Sequence, residues 1–255
     1  MNRFALIIEA SDVKGQTALP GAKQDAINWY NFLTSNAGGS WQQDEIVKIN
    51  KPSRTLVACY LVDHRQDYCF VAYSGHGCEL KSSPMQTTGI PTVCLNDTEQ
   101  QVPLSVLTPQ SQYGTLISDS CRGHETLQKT ASNFSNRGDA YKLASEDTAD
   151  IYTSLLHCKK WHQALKQCCL SQSGILTMYS CASGQSADED PYAGGLYTSL
   201  LINAAKSWYV SAKSNTYYTT YNAHQQAAQL MNLYAPQQIP EYNKFPLKFP
   251  FAVKA

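Results

Sequence analysis

Short apolar runs alternate along this chain with segments whose apolar residues recur every three or four positions. Residues 4–8 (Phe-Ala-Leu-Ile-Ile) carry no polar interruption and predict a strand buried on both faces. Residues 21–33 then place Ala22, Ala26, Trp29 and Leu33 on one helical face. Residues 46–49 (Ile-Val-Lys-Ile) predict a second strand. Pro52 is expected to open a helix, because proline suits the first turn, with Leu56, Val57, Tyr60 and Leu61 as its stripe. Residues 68–73, 113–118 and 175–179 predict three further strands. Residues 151–169, 194–209 and 223–234 predict helices, and residues 249–253 an edge strand that tolerates an internal proline.

Strands alternating with helices imply an α/β fold, with a central, mostly parallel sheet of about six strands and helices on both faces. In such sheets the working site lies beyond the carboxyl ends of the strands. Two glycine-flanked segments fall there: Ser74-Gly-His-Gly77 after the third strand and Asp119-Ser-Cys-Arg-Gly123 after the fourth. No internal repeat, low-complexity tract or clear linker interrupts the 255 residues, so the whole chain, 1–255, reads as one domain.

Composition narrows the function classes. Hydrophobic residues make up 43% and charged residues 16%, which suits a packed core rather than disorder. Twenty basic residues balance twenty acidic ones, so no net charge draws the chain to nucleic acid or a membrane surface. The apolar run 4–8 is too short for a secretory signal, and no run approaches the length of a membrane span. With nine cysteines, an odd number, the expectation is a cytoplasmic protein with reduced thiols. Cys59, His64, Cys69, Cys78 and Cys94 contain no C-x-x-C pair and are not read as a zinc site.

A peptide bond is a poor electrophile and needs both an activated nucleophile and a stabilised oxyanion. A thiolate at Cys121 beside an imidazole at His76 supplies the first requirement. The N–H groups of Gly77 and Cys121 are the candidates for the second. A lone histidine or cysteine in a loop is usually structural; it is the shared strand-end placement that singles out this pair.

Tyr73-Ser-Gly-His-Gly77 and Asp119-Ser-Cys-Arg-Gly123 resemble the His and Cys motifs of the caspase and metacaspase superfamily, and are nearest to metacaspases and prokaryotic orthocaspases. The histidine precedes the cysteine by 45 residues, near the separation of about 50 that caspases have. Leu19-Pro-Gly-Ala-Lys-Gln-Asp25 resembles the metacaspase segment that carries a Cys and an Asp, with Ala22 at the Cys position and Asp25 kept. Ser180-Cys-Ala-Ser-Gly-Gln-Ser-Ala-Asp188 with Gly194-Gly-Leu-Tyr-Thr-Ser199 resembles the small-subunit loop and helix, and residues 238–253 the carboxyl-terminal end. The resemblance implies a large-subunit-like part (1–123), a linker-like insert (124–174) and a small-subunit-like part (175–255). Because the first strand begins almost at residue 1, no amino-terminal prodomain is expected.

The same resemblance implies a cysteine endopeptidase with no cofactor in its chemical step, acting as a monomer on proteins or peptides. Asp25, Ser74 and Asp119 match the metacaspase pocket that holds a basic residue at the cut, and a carboxylate pair suits a guanidinium. The alternative is that Asp25 caps a helix and Asp119 is a turn residue. Residues Asp188, Glu189 and Asp190 read as a solvated acidic loop. Asn96-Asp97 offers one carboxylate, with Gln128 where a second acid is expected, which is too little for a tight calcium site. Arg137-Gly138, in a polar stretch of the insert, is the expected self-cleavage bond; Lys159 and Lys160, in a helical pattern, are less accessible. The competing function is a catalytically silent caspase-like scaffold or regulator of another protease.

Overall fold

The computed structural model describes residues 2–81, 89–96, 101–123, 151–243 and 246–255. In chain order the strands of the first half are β1 (Arg3–Ala10), β2 (Ile46–Ile49), β3 (Tyr68–Gly75), β4 (Gly77–Leu80), β5 (Ile90–Cys94), β6 (Gln101–Pro103) and β7 (Tyr113–Asp119). Those of the second half are β8 (Gly174–Tyr179), β9 (Glu189–Asp190), β10 (Gly194–Gly195), β11 (Thr216–Thr219), β12 (Glu241–Tyr242) and β13 (Pro250–Lys254). Among the described residues there are five α-helices: α1 (Pro20–Thr34), α2 (Arg54–Asp63), α3 (Ile151–Cys169), α4 (Leu196–Ser211) and α5 (Thr220–Tyr234).

Six strands form the central sheet in the order β12-β8-β7-β3-β1-β2. All neighbours are parallel except β12, which runs antiparallel to β8. The side-chain alternation of β1 explains why the run 4–8 is apolar throughout. Phe4, Leu6 and Ile8 face one layer, where Val57 and Leu61 of α2 and Val93 and Val102 of the β4-β5-β6 sheet cover them. Ala5 and Ile7 face the other, among Trp29 and Phe32 of α1, Trp161 of α3 and Leu200 of α4. Register carries this across the sheet: Leu6 lies beside Val71, and Val71 beside Leu116. Each such side chain, fully buried, contributes about 1.5–3 kcal/mol. The α/β architecture, the mostly parallel six-stranded sheet and the helices on both faces agree with the sequence pattern.

At the amino end of the sheet Arg3 is buried with its guanidinium between the rings of Trp41 (4.4 Å) and Trp161 (4.9 Å). Glu45 at 2.9 Å and the carbonyls of Gly39 and Ser40 complete its partners. A buried cation is tolerable only when paired this fully.

Three expectations are corrected. Pro52 does not open α2: Ser53 is the N-cap, its hydroxyl accepting the Leu56 N–H, and Pro52 stands outside. The segment 249–253 is not an edge of the central sheet, because β13 pairs with β11 in a separate ribbon; the true edge is the short β12. The helix expected from residue 194 starts at Leu196, since Gly194 and Gly195 pair with Asp190 and Glu189. No helix among the described residues is long and apolar enough to cross a membrane.

Candidate active site

Strands β3 and β7 are neighbours and end together, with Ser74 in register beside Asp119. The turn after β3 carries His76 and the turn after β7 carries Cys121. Parallel pairing thus unites two segments far apart in sequence. The turns touch at Gly77, where a Cβ would stand 2.8 Å from Ser120 Oγ, 2.9 Å from Ser120 Cβ and 2.8 Å from the Thr92 carbonyl oxygen. Only glycine allows this approach.

His76 is 2% exposed. Its Nε2 lies 2.7 Å from the carbonyl oxygen of Thr17, in the loop between β1 and α1. A carbonyl only accepts, so Nε2 carries the proton of the neutral ring and Nδ1 carries the lone pair. The backbone is pinned as well: the His76 carbonyl accepts the Tyr73 hydroxyl at 2.8 Å and the Cys94 N–H at 3.0 Å.

Cys121 is 1% exposed, and its sulfur accepts the Ala187 N–H at 3.3 Å. The loop that follows β8 clamps the whole turn. Ser120 N–H donates to Ser180 Oγ at 3.2 Å, Arg122 N–H to the Gln185 carbonyl at 2.9 Å, and Gly184 N–H to the Arg122 carbonyl at 2.8 Å. The Arg122 side chain is held by Glu79 (2.5 Å), Glu241 (2.6 Å) and the Cys181 carbonyl (3.1 Å), over the Tyr179 ring. Burial pushes the Cys181 thiol up to about 12, and the neighbouring Cys121 adds to the shift.

The two predicted pocket acids are fully buried and meet the same strip of backbone. Asp25, in the first turns of α1, accepts the Ser74 hydroxyl on Oδ2 at 2.5 Å and the Gly195 N–H on Oδ1 at 2.8 Å. Asp119 accepts the Thr198 N–H at 3.1 Å and the Thr198 hydroxyl at 2.8 Å, both on Oδ2. Thr198 lies in the first turn of α4, where free N–H groups and the helix dipole favour an anion. A Cβ on Gly195 would stand 2.2 Å from Asp119 Oδ2, and one on Gly194 2.2 Å from Asp25 Oδ1. The diglycine therefore lies directly on both carboxylates.

The structure brings His76, Gly77, Cys121, Asp25, Ser74 and Asp119 to the carboxyl end of the sheet. Arg137, Asp97 and Gln128 lie outside the described residues. The solvated acidic loop is corrected: Asp188 and Glu189 are buried, because Glu189 packs on Gly21 at the start of α1, where a Cβ would stand 2.8 Å from its own. Thr17, Ala187 and Thr198 escaped the sequence reading. Thr198 had a signal, a hydroxyl just behind Gly-Gly at a helix start; Thr17 and Ala187 act through backbone atoms and had none. The described residues contain no group of three or more His, Cys, Asp or Glu able to hold a metal ion, and all nine cysteines are free thiols.

Comparison with known proteins fits this arrangement. The model of the caspase domain family matches residues 2–251. The chain belongs to the caspase domain family. The chain is also similar to the crystal structure of a protein from Geobacter sulfurreducens, with 14% identity over 100% of both chains and a TM-score of 0.52, a likeness of fold alone. No curated protein matches the sequence.

Proposed function

We propose that this caspase-family chain is a cysteine endopeptidase that cuts after arginine or lysine, with Cys121 as nucleophile and His76 as its acid–base partner. The observation that carries the reading is the bond from His76 Nε2 to the Thr17 carbonyl, which leaves Nδ1 as the basic atom on a turn packed against the Cys121 turn. Nδ1 takes the thiol proton as Cys121 Sγ attacks the scissile carbonyl, then returns it to the leaving amine. Water hydrolyses the thioester. The N–H groups of Gly77 and Cys121 stabilise the oxyanion. The ring's orientation by a third group is the usual logic of such dyads.

Asp25, Ser74 and Asp119 form the pocket for the basic side chain. Their support is the 2.5 Å bond between Asp25 and Ser74 and the register of Ser74 with Asp119. Two carboxylates in a desolvated pocket favour a guanidinium and reject an aspartate. The large-subunit-like, insert and small-subunit-like parts then act as one peptidase domain without a cofactor in the chemical step.

One observation favours the second reading, a silent regulator: Ala187 covers the Cys121 sulfur and the diglycine covers the pocket acids. A peptidyl-arginine electrophile decides between them. Wild type should be labelled at Cys121, the peptidyl-aspartate analogue should not react, and Cys121→Ala should take no label. A wild-type chain that resists labelling at any concentration would leave the regulator.

A further inference from the structure

Cys121 shares its pocket with a second thiol. Cys121, Cys181 and the Ala187 methyl form one buried cluster of their own. Cys181 Sγ lies 3.4 Å from the carbonyl oxygen of Ser120, the carbonyl of the peptide bond that enters Cys121. The backbone explains the contact. Strands β7 and β8 are parallel neighbours with Ser118 beside Tyr179, and the ladder continues past them: Ser180 N–H donates to the Ser118 carbonyl at 3.0 Å. Cys181 thus follows one strand end and Cys121 the next. Continuing that register sets Cys181 beside Ser120, so the two thiols are diagonal neighbours, and the buried cluster they share with Ala187 keeps them together at the end of the sheet.

The two sulfurs have different surroundings. Cys121 Sγ accepts the Ala187 N–H at 3.3 Å and lies 3.9 Å from the Ala187 carbonyl oxygen. Cys181 Sγ faces two carbonyl oxygens, those of Ser120 and Gln185, each at 3.4 Å, which hold it as a thiol.

We propose that Cys121 and Cys181 are a redox pair, in which hydrogen peroxide oxidises Cys121 and Cys181 then closes a reversible disulfide with it. In the first step the Cys121 sulfur attacks peroxide: an S–O bond forms, the O–O bond breaks, and the departing hydroxide leaves as water with the thiol proton. In the second, Cys181 sulfur attacks the sulfenic sulfur: the S–S bond forms, the S–O bond breaks, and the hydroxyl leaves as water with the Cys181 proton. Two thiols lose two electrons and one peroxide becomes two waters. The disulfide blocks catalysis while protecting Cys121 from irreversible oxidation. The blocking rests on Cys121 being the nucleophile; the disulfide itself does not.

Purified full-length chain should be treated with hydrogen peroxide and analysed by intact mass and non-reducing peptide mapping. The expected result is a mass loss of two hydrogens, a linked peptide joining Cys121 and Cys181, and full reversal by dithiothreitol. In Cys181→Ser, Cys121 should pass to sulfinic acid instead, and dithiothreitol should then fail to restore the Cys121 thiol that it restores in wild type. Wild-type Cys121 carried to sulfinic acid as fast as in the variant, or bridged to another cysteine, would overturn the pairing. If Cys181→Ser does not fold, the wild-type peptide map decides alone. These readouts need no peptidase activity, so an inactive but disulfide-forming chain would count against the proposed function and not against this pair.

Discussion

The Nε2 of His76 and the carbonyl oxygen of Thr17 lie 2.7 Å apart, and this one bond assigns the ring's tautomer and aims Nδ1. The ring is aimed from the β1–α1 loop, while its backbone position is set by Gly77 against Ser120. The nucleophile and base therefore depend on a contact that carries no charge and no chemistry.

Gly77→Ala should expose that dependence. The new Cβ meets Ser120 Oγ at 2.8 Å and the Thr92 backbone oxygen at 2.8 Å, so the His76 turn must shift. Displacements near 1 Å cost about 100-fold in rate, and kcat on a peptidyl-arginine substrate should fall by about that factor while the Tm changes little. Adding Ser120→Gly should recover part of the loss, since the clash with Thr92 remains. Full activity in Gly77→Ala would mean that the two turns move independently.

The pocket acids separate by their second partners. Asp119→Asn keeps an acceptor for the Thr198 N–H and hydroxyl but removes the charge. It should lower kcat/KM for arginyl substrates by about 10- to 100-fold, the range of one charged hydrogen bond, with α4 intact by circular dichroism. Asp119→Ala also strips the first turn of α4 of its acceptor and should add about 1 kcal/mol of destabilisation, read in urea. Asp25→Asn should resemble Asp119→Asn in selectivity. Preferred cleavage of an aspartyl reporter by wild type would reverse the pocket assignment.

His224 makes stability depend on pH. Its Nδ1 meets the Tyr197 hydroxyl at 2.6 Å, its ring stacks edge-on to Tyr242, and burial lowers it from 6.5 to about 4. A base with a depressed folded value binds fewer protons folded than unfolded between those limits. Its contribution is whole above about pH 6.5, is lost as the pH falls toward 4, and does not change further below that. The loss is at most about 3 kcal/mol. Urea midpoints should fall over this window, and His224→Gln should flatten the fall; an equal slope in the variant would assign it to other groups.

Self-cleavage, if it accompanies the proposed activity, should occur at Arg137–Gly138 and be absent from Cys121→Ala. Lys159 and Lys160 lie within α3, where a protease would have to unwind helix to extend the chain. Amino-terminal sequencing of fragments, with and without calcium, reads the position. A cut confined to Lys159 or Lys160 would mean that the wrong segment was chosen, and a fully active uncut chain that cleavage is no switch.

Much of this was legible along the chain. The uninterrupted run 4–8 reported a strand buried on both faces, because each side chain alternates between two apolar layers. The placement of His76 and Cys121 after strands followed from local pattern together with the rule for parallel sheets. Asp25 and Asp119 came from the family resemblance, and periodicity alone would not have paired them. What the tertiary structure decided are the contacts between segments distant in sequence: Pro250 to Lys254 pairing away from the main sheet, Glu189 buried on Gly21, Thr17 aiming His76, Thr198 facing Asp119, Cys181 beside Cys121. Several of these act through backbone N–H and C=O groups, which every residue carries alike. Periodicity reports which face of an element is buried; only the folded chain determines which backbone groups of distant loops are brought within hydrogen-bonding distance.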